Sequence, residues 1–415
     1  MSADGRQPQA TAEAVARRSY GKLVAFLAAR IRDVAGAEDA LSDAFAAALS
    51  DWPQNGTPAN PEAWLLTVAR RKMLDGVKRR RTAETSQDHL QLLAELTETE
   101  IESPAIPDNR LSLMFACAHP AIDSGIRAPL ILQTILGFDA ATIASAFLIS
   151  PATMGQRLVR AKAKIRQAGI PFRVPDEDEL PGRLDAVLAA IYAAFSEGWS
   201  DPAGTESRRR SLAEEGLFLG QLTASLLPEE PEALGLLALM LHAEARRGTR
   251  RDPHGRYVPL AEQNPAGWNR EMIDAAEALL FQASAMGRIG RYQLEAAVQS
   301  AHVVRRVTGR ADWAAIVQLY DALAAMTGSP VVFVNRAAAI AETDGPAAAL
   351  AALDAAAADA RLADYQPYWA ARAALLARAG QVHAADHAYE RAIGLEADPA
   401  VRDFLTEQRA GLTRH

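Results

Sequence analysis

Apolar residues recur at helical spacing along most of the chain, most clearly in residues 150–166, SPATMGQRLVRAKAKIR. Four of them lie at i, i+4, i+7 and i+11 and therefore share one helix face: Met154, Leu158, Ala161 and Ile165. Ser150 is a good N-cap, and the proline that follows it suits the first helical position. The pattern predicts a helix from about residue 151, with one apolar face and a cationic face.

The first 84 residues show the same periodicity in three further stretches. The first helix is marked by Val15, Leu23, Phe26, Leu27 and Ile31. In residues 37–52, Leu41, Phe45, Ala48 and Leu49 are predicted to face inward, and Glu38, Asp39 and Asp43 outward. Residues 53–61 are rich in Pro, Asn and Gly and predict a loop. Asn60 then caps a third helix whose inward positions are Trp64, Leu65, Val68 and Leu74.

Residues 138–166 read as a helix, a three-residue break and a second helix. Asp139 and Ser150 supply the two N-caps, while Ile143, Phe147 and Ile149 pack the corner. This arrangement predicts a helix-turn-helix. In that motif the second helix enters the major groove with its N-terminal residues over base edges.

The remainder of the chain predicts further helices, interrupted by a long loop at about 248–269. Residues 335–356 and 371–392 share a helix, a turn at Gly345 or Gly380, and a second Ala-rich helix. The second copy follows the tetratricopeptide pattern at Gly380, Ala385, Tyr389 and Ala392. We therefore predict an all-α protein. Its predicted divisions are 10–84, an acidic linker 85–108, a second module 109–172, and an extension 173–415 with repeats at about 315–412.

The net charge of −7 hides an uneven distribution. Residues 1–172 hold 20 Lys and Arg against 18 Asp and Glu, whereas residues 173–415 hold 24 against 33. Residues 70–81 contain seven cations and one acid, and residues 157–166 contain five cations and no acid. The segment 82–108 between them has seven acids and no Lys or Arg. Two basic patches on an acidic connector favour contact with phosphates.

Together these segments resemble an RNA polymerase sigma factor of the extracytoplasmic-function group, in its subgroup with a long tetratricopeptide-like extension. The resemblance lies in AEDALSDAFAAAL (37–49), NPEAWLLTVARRKMLDGVKRRR (60–81), FDAATIASAFLISPATMGQRLVRAKAKIR (138–166), GLLALMLHAEARRGTR (235–250) and the two repeats. It implies a region 2 bundle and a region 4 helix-turn-helix joined by the linker. It also implies binding to core RNA polymerase (β′ and β subunits) and to promoter DNA.

The resemblance assigns roles to particular residues. Glu38, Asp39 and Asp43 would dock on the β′ coiled coil. The loop 53–61 would hold a flipped −10 base, read by Asn55 and Asn60. Backbone contacts at the melting promoter would come from the cations of the third helix: Arg70, Arg71, Lys72, Lys78, Arg79 and Arg80. The basic helix would read the −35 element with Thr153, Gln156 and Arg157, and it would bind phosphates with Arg160, Lys162 and Lys164.

The sequence offers no nucleophile–base pair, phosphate loop or metal-ligand spacing, so we expect no catalysis, cofactor or metal. Arg246, Arg247, Arg250 and Arg251 with His242 and His254 favour a surface loop or intramolecular contacts over an anion or metal site. The single cysteine, Cys117, excludes an intrachain disulfide and fits a cytoplasmic protein. No apolar run is long enough to span a membrane.

The acidic extension is expected to regulate the basic helices in cis, by shielding them or by receiving a regulatory protein. Two other functions stay open from the sequence. One is a one-component helix-turn-helix regulator that senses a ligand or partner through its repeats, and the other is a repeat adaptor that has lost promoter function.

Overall fold

The computed structural model describes residues 3–80, 107–147, 149–176, 178–199, 207–356, 359 and 362–412. Every regular element in these ranges is a helix. The nearest approach to a sheet is one isolated antiparallel bridge between Arg251 and Tyr257. The predicted all-α class is confirmed.

The chain divides into two compact units, residues 1–197 and 198–415. The sequence predicted a domain boundary between residues 172 and 173. In the structure the chain continues from there into a helix, Leu180–Trp199, which ends at the division. Arg183 in the first turn of this helix donates a hydrogen bond to the Phe115 carbonyl at 2.9 Å. That contact ties the start of the helix to the first unit.

The first unit contains eight helices in the described ranges. They are α1 Ala3–Ile31, α2 Val34–Asn55, α3 Pro61–Arg80, α4 Arg110–Cys117, α5 Ser124–Leu136, α6 Ala140–Ala146, α7 Pro151–Gln167 and α8 Leu180–Trp199. The helices α1 to α3 pack on one another, and so do α6 and α7. The helix α1 also packs on α4 and α5, and α2 packs on α7. The two predicted sigma modules therefore form one body.

The helices α1 and α5 cross closely at Gly21. A Cβ atom on Gly21 would lie 2.0 Å from the Ile135 carbonyl oxygen, so only a glycine fits at this position. Two residues after Ile135, Gly137 ends α5 in the left-handed region at φ 74°, against the ring of Tyr20. Ala25 and Ala28, which share a face of α1 with Gly21, are fully buried. Burial of apolar surface across this crossing is what holds the two modules together.

The predicted second helix is longer at both ends in the structure. Its N-cap is Asp33, whose carboxylate accepts the Gly36 N–H at 3.2 Å, so the helix begins at Val34, before the predicted start at residue 37. It runs through Pro53 to Asn55, which shortens the predicted loop. Leu49 was predicted to face inward, but its side chain is 50% exposed. Ala44 and Ala48 occupy the buried stripe instead.

The predicted helix-turn-helix segment has the expected caps. Asp139 accepts the Thr142 N–H at 2.8 Å, and Ser150 accepts the Thr153 N–H at 3.2 Å. Between α6 and α7, the Ile149 N–H donates to the Ala144 carbonyl at 3.1 Å. Met154, Leu158, Ala161 and Ile165 are all buried, as the spacing predicted.

The second unit is a succession of helices, most of which pack on the next helix along the chain. They are α9 Ser207–Leu226, α10 Pro231–Ala245, α11 Arg270–Ala285, α12 Arg291–Val303, α13 Arg305–Thr308, α14 Trp313–Thr327, α15 Pro330–Thr343, α16 Gly345–Ala356, α17 Gln366–Arg378, α18 Val382–Leu395 and α19 Pro399–Gly411. Both predicted repeats are helical hairpins, α15–α16 and α17–α18. Their glycines, Gly345 and Gly380, take positive φ values of 84° and 73° at equivalent turns.

The small residues of the second hairpin have the predicted packing role. Ala385, Ala388 and Ala392 are buried on α18 with Tyr389, in one cluster that includes Tyr368 and Leu405. The tetratricopeptide assignment itself stays a prediction.

Gly21→Ala should destabilise the first unit by about 1–3 kcal/mol, because the added methyl group must push α1 away from the Ile135 carbonyl. Urea unfolding followed by circular dichroism measures this loss. Gly155→Ala is the matched control, since nothing lies within 4 Å of its Cβ position on α7. That control should gain up to about 1 kcal/mol from helix propensity. Equal effects of the two substitutions would contradict the close crossing.

Candidate nucleic-acid and polymerase interface

The basic helix α7 presents a polar face to solvent. Five of its predicted DNA-binding side chains are exposed: Thr153, Gln156, Arg157, Arg160 and Lys164. Thr153 lies at the capped N-terminus of α7. Its hydroxyl oxygen is 2.7 Å from that of the N-cap, Ser150. This face can donate to base edges near its N-terminus and to phosphates further along.

A cleft of about 400 Å³ lies beside this face. One wall carries Arg157, Arg160 and Lys164, and the other is formed by Ile122, Ala121, Asp123 and Ile126 at the start of α5. The Asp123 carboxylate accepts the Gly125 N–H at 3.0 Å as the N-cap of α5. The cationic wall therefore continues the exposed face of α7 into a concave surface that suits an anionic backbone.

Lys162 does not share that exposed face. It follows Ala161 at the edge of the buried stripe, and its ammonium group forms an ion pair with the carboxylate of Glu38 on α2. Both side chains are only 11% exposed. Arg166, one turn further along, pairs with Asp33 at 3.2 Å. The predicted phosphate contact of Lys162 is therefore not favoured, because its ammonium group is already paired and largely buried.

The three predicted polymerase-docking acids differ in exposure. Asp39 and Asp43 are exposed, as predicted. Glu38 was predicted to face outward but is 8% exposed, because α7 covers it. Burial raises the pKa of Glu38, and Lys162 opposes that rise. Burial, together with Glu38 and Asp39, also raises the pKa of the neighbouring Tyr20.

The cations of α3 are similarly divided. Arg71 and Lys72 are exposed, whereas Arg70 is 8% exposed and lies over the Phe26 ring with Arg30. Burial, and then the nearby Arg30, lowers the pKa of Arg70. Arg70 is buried because it follows Leu66 and Ala69 on the inner side of the helix. A DNA contact from Arg70 is not favoured here.

Some predicted residues lie outside the described part of the chain. The backbones of Lys78, Arg79 and Arg80 belong to α3, but their side chains are not among those described. Residues 85–106 of the predicted linker lie wholly outside the described residues. At its end, Asp108 is described and pairs with Arg110 at 2.6 Å.

Asn55 and Asn60 lie at the two ends of a short exposed loop. The Asn55 side chain donates to Asp51 at 2.7 Å within the last turn of α2. The Asn60 side-chain oxygen accepts the Ala63 N–H at 3.1 Å as the N-cap of α3. Both side chains are exposed. Because each already forms a local hydrogen bond, a hydrogen bond to a base requires that local bond to be exchanged or shared.

The arginine-rich stretch of the second unit makes intramolecular contacts, as the sequence favoured. Arg246 donates to Gln299 at 2.7 Å, Arg247 pairs with Glu244 at 2.8 Å, and Arg251 pairs with Asp398 at 2.7 Å. Arg250 stacks over Trp199 at 3.9 Å and donates to the Trp199 carbonyl. Within the described residues, no group of three or more His, Cys, Asp or Glu side chains is placed to hold a metal ion.

Cys117 is fully buried, and burial raises its pKa to about 12. Its sulfur lies 3.5 Å from the Thr134 hydroxyl. Among the described helices, none combines the length and the apolar character that a membrane crossing requires.

Comparison with known proteins bears on the first three helices and on the start of the second unit. Residues 15–83 match Sigma-70 region 2, and residues 183–284 match a family of unknown function (DUF6596). An uncharacterized protein of Rhizobium meliloti (strain 1021) is 37% identical over 378 residues, covering 90% of this chain and 89% of that protein. The region 2 match at the start of the chain supports its membership of the sigma-70 family. No solved structure matches it.

Membership of the sigma-70 family supports binding to core RNA polymerase and to promoter DNA. The region 2 match covers α2 and α3 and all of α1 from residue 15. The helix α7 lies outside both matched ranges. Support for DNA binding by α7 therefore comes from its own capped N-terminus and exposed cationic face.

Sequence reasoning missed the partners of Glu38 and Lys162. The acidic residues of α2 and the cations of α7 are complementary in charge, and this could have suggested that the two helices meet. Residues 124 positions apart nevertheless give no local pattern that would pair them.

The buried histidine of α10 generates a prediction about pH. Burial and then Arg246 lower the pKa of His242 from 6.5 to about 4, even though the Glu277 carboxylate lies 3.4 Å away without hydrogen-bond geometry. A folded-state pKa below the unfolded value gives stability that is complete above pH 6.5 and is lost as the pH falls towards 4.

The native chain should therefore lose unfolding free energy as the pH falls from 6.5 to 4, and His242→Leu should reduce that loss by up to about 3 kcal/mol. Urea unfolding at several pH values measures the difference. The exposed His383→Leu is the control and should leave the shape of the curve unchanged. A parallel curve for His242→Leu would mean that the pKa of this ring is the same in the folded and unfolded chains.

Proposed function

We propose that the chain is a sigma factor of the extracytoplasmic-function group, which directs core RNA polymerase to a two-part promoter. The observation that carries the proposal is the exposed face of α7. This face combines a capped N-terminus, a row of polar and cationic side chains and an adjoining cationic cleft. The Sigma-70 region 2 match supplies the polymerase-binding half of the same assignment.

At the −35 element, α7 acts as the second helix of a helix-turn-helix. Thr153, Gln156 and Arg157 lie near its N-terminus and reach base edges in the major groove. An arginine can bond both acceptors of a guanine, which makes Arg157 the strongest candidate for sequence discrimination. Arg160 and Lys164 lie further along the same side and bind phosphates.

At the −10 element, α3 and the loop from residue 56 to residue 60 act on the opening strand. Arg71 and Lys72 are exposed on α3 and bind the backbone, together with Lys78, Arg79 and Arg80 further along the helix. Asn60 and Asn55 flank the loop and read a base that has left the stack. Extruding a base costs stacking energy, so the cationic helix offsets part of that cost.

The second unit acts as a regulatory scaffold of tetratricopeptide type. Its two equivalent hairpins, α15–α16 and α17–α18, support this assignment, because stacked hairpins of this kind present extended binding surfaces. Its excess of acidic residues supports the proposal that it restrains the basic helices or receives a regulatory protein. The role of this chain is binding, and the proposal assigns it no catalytic step.

Run-off transcription tests the whole assignment. The purified chain is mixed with core RNA polymerase and a library of promoter fragments that differ in the −35 and −10 positions. A sigma factor gives transcripts of defined length from a subset of the fragments. A regulator that binds duplex DNA alone would instead shift the same fragments without polymerase and give no transcript.

Arg157→Ala should reduce transcription mainly at one −35 base pair, with a loss of about 1–3 kcal/mol in discrimination. Arg71→Ala should weaken binding to every promoter alike and reduce the dependence of log K on log salt by about 1. Affinities measured at several salt concentrations separate the two effects. Arg270→Ala, an exposed arginine of the second unit, is the control. Equal, sequence-independent losses from Arg157→Ala and Arg71→Ala would remove Arg157 from base reading.

A further inference from the structure

The arginine-rich stretch at the end of α10 contains two kinds of arginine. Arg247 and Arg251 each form an ion pair with a carboxylate, at 2.8 Å and 2.7 Å. Arg246 and Arg250 flank the short 3₁₀ turn between them and have no carboxylate partner in the described part of the chain. Half of the positive charge in this stretch is therefore not neutralised by an ion pair.

Arg246 and Arg250 also keep hydrogen-bond donors in reserve. Arg246 donates through Nε to the His242 carbonyl at 3.3 Å and through one terminal nitrogen to the Gln299 side chain at 2.7 Å. Arg250 donates one terminal nitrogen to the Trp199 carbonyl at 3.0 Å. The other terminal nitrogen of Arg246, and two nitrogens of Arg250, bond to no described residue. Both side chains are half-buried, so these donors stay within reach of solvent.

A third arginine adds to the positive charge. Arg305 donates to three backbone carbonyls of the loop after α10 and pairs with no carboxylate among the residues described. Burial, followed by the neighbouring Arg250 and Arg305, lowers the pKa of Arg246 to about 10. Burial lowers the pKa of Arg250 as well, and a carboxylate that opposes this, Asp398, is itself in an ion pair. The cluster thus keeps a local excess of positive charge in an extension whose acids outnumber its Lys and Arg by 33 to 24.

The cluster lies where three helices of the second unit come together. The helix α12 packs on both α10 and α14, and Arg246 ends α10 against Gln299 of α12. Tyr257 of the following loop and Tyr320 of α14 are close enough to affect the pKa of Arg246, after burial and the two arginines. All four side chains are half-buried, so they line a surface that protein surrounds without sealing it. Burial raises the pKa of Tyr257, which keeps its hydroxyl protonated as a further donor.

We propose that Arg246 and Arg250 form a binding site for a phosphate group, either inorganic phosphate or the phosphomonoester end of a small molecule. Guanidinium groups bind such oxyanions through paired, charge-assisted hydrogen bonds. A phosphomonoester carries close to two negative charges at neutral pH, so it balances both arginines, whereas one carboxylate balances only one. The inference goes beyond the proposed function, because it gives the extension a ligand of its own.

The energetics of the cluster favour an occupied site. Partly desolvated cations that repel one another and lack a counterion oppose folding, because lost hydration is not replaced. A bound phosphate supplies the missing counterion and accepts hydrogen bonds from the reserved donors. Because the phosphate binds only the folded site, it stabilises the second unit in proportion to its concentration relative to Kd.

Isothermal titration calorimetry on the full chain, in chloride buffer of constant ionic strength, tests the site with inorganic phosphate. The native chain should bind one phosphate with a Kd of about 1 mM or tighter. Tighter binding of phenyl phosphate would identify an organic phosphate as the ligand, and equal binding would identify free phosphate. No saturable binding, or acetate bound as tightly as phosphate, would overturn the proposal.

Substitutions locate the site within the arginine-rich stretch. Arg246→Gln and Arg250→Gln should each weaken phosphate binding about tenfold or more, because each removes charge-assisted hydrogen bonds. Arg247→Gln is the matched control, since it removes the same charge from a neighbouring residue that already has a carboxylate partner. It should change the affinity less than about twofold. Equal losses from Arg246→Gln and Arg247→Gln would mean that phosphate responds to net charge alone, and the site would be wrong.

Urea unfolding with and without phosphate separates ligand binding from a structural role. Phosphate should raise the unfolding midpoint of the native chain and of Arg247→Gln but not that of Arg246→Gln. If Arg246 only supports the fold, its substitution lowers the midpoint equally in both buffers and the increment from phosphate persists, which contradicts the proposal. Neither measurement contains polymerase, so both outcomes are independent of the proposed sigma function.

Discussion

The first unit depends on the close crossing of α1 and α5, where Gly21 leaves room for the Ile135 carbonyl. The long helix α1 carries the core of the first module, and α5 carries the core of the second. Once these helices meet backbone to backbone, the charged surfaces of α2 and α7 are brought together next to them. The crossing supplies the apolar energy, and the ion pairs supply the orientation of one module on the other.

Burial of charge is the second organising feature, and it affects different groups in different ways. Glu38 has a cationic partner from another helix, and burial still raises its pKa. Arg70 and Arg30 approach the same phenylalanine ring, where the aromatic face partly replaces hydration. These groups are held in place by packing around them. A rearrangement of the modules would therefore change their protonation and their exposure together.

Local features of the fold could be predicted from the sequence, whereas its long-range contacts could not. The inward stripe of α7, the caps Ser150 and Asp139, and the turns at Gly345 and Gly380 follow from short patterns in which each residue acts on close neighbours. Leu49 was misplaced because it lies about 80° round the helix from Leu41, at the edge of the buried stripe that Leu41 and Ala48 share. The burial of Glu38 depends on a helix more than a hundred residues away, which no periodicity encodes.

The same limit applied to the candidate site. The cationic face of α7 was predictable because charge and spacing occur in one segment. The burial of Lys162 on α7 and of Arg70 on α3 was not predictable. Each of these residues lies at the border between a polar and an apolar stripe, where a neighbouring helix decides the side-chain direction. Positions at such borders are where sequence-based assignments of nucleic-acid contacts are weakest.

In the second unit, the pair formed by Arg251 and Asp398 joins residues 147 positions apart in the chain. Tyr257 meets Phe404 in an edge-to-face contact across the same junction, at 5.5 Å between ring centres. The final helix and its N-cap are thus fastened to the loop that follows α10, across the repeats that lie between them in the chain. Shortened versions of this extension that end before Pro399 would lose an anchor for that loop, so such truncations would report on damage to the scaffold as well as on the missing segment.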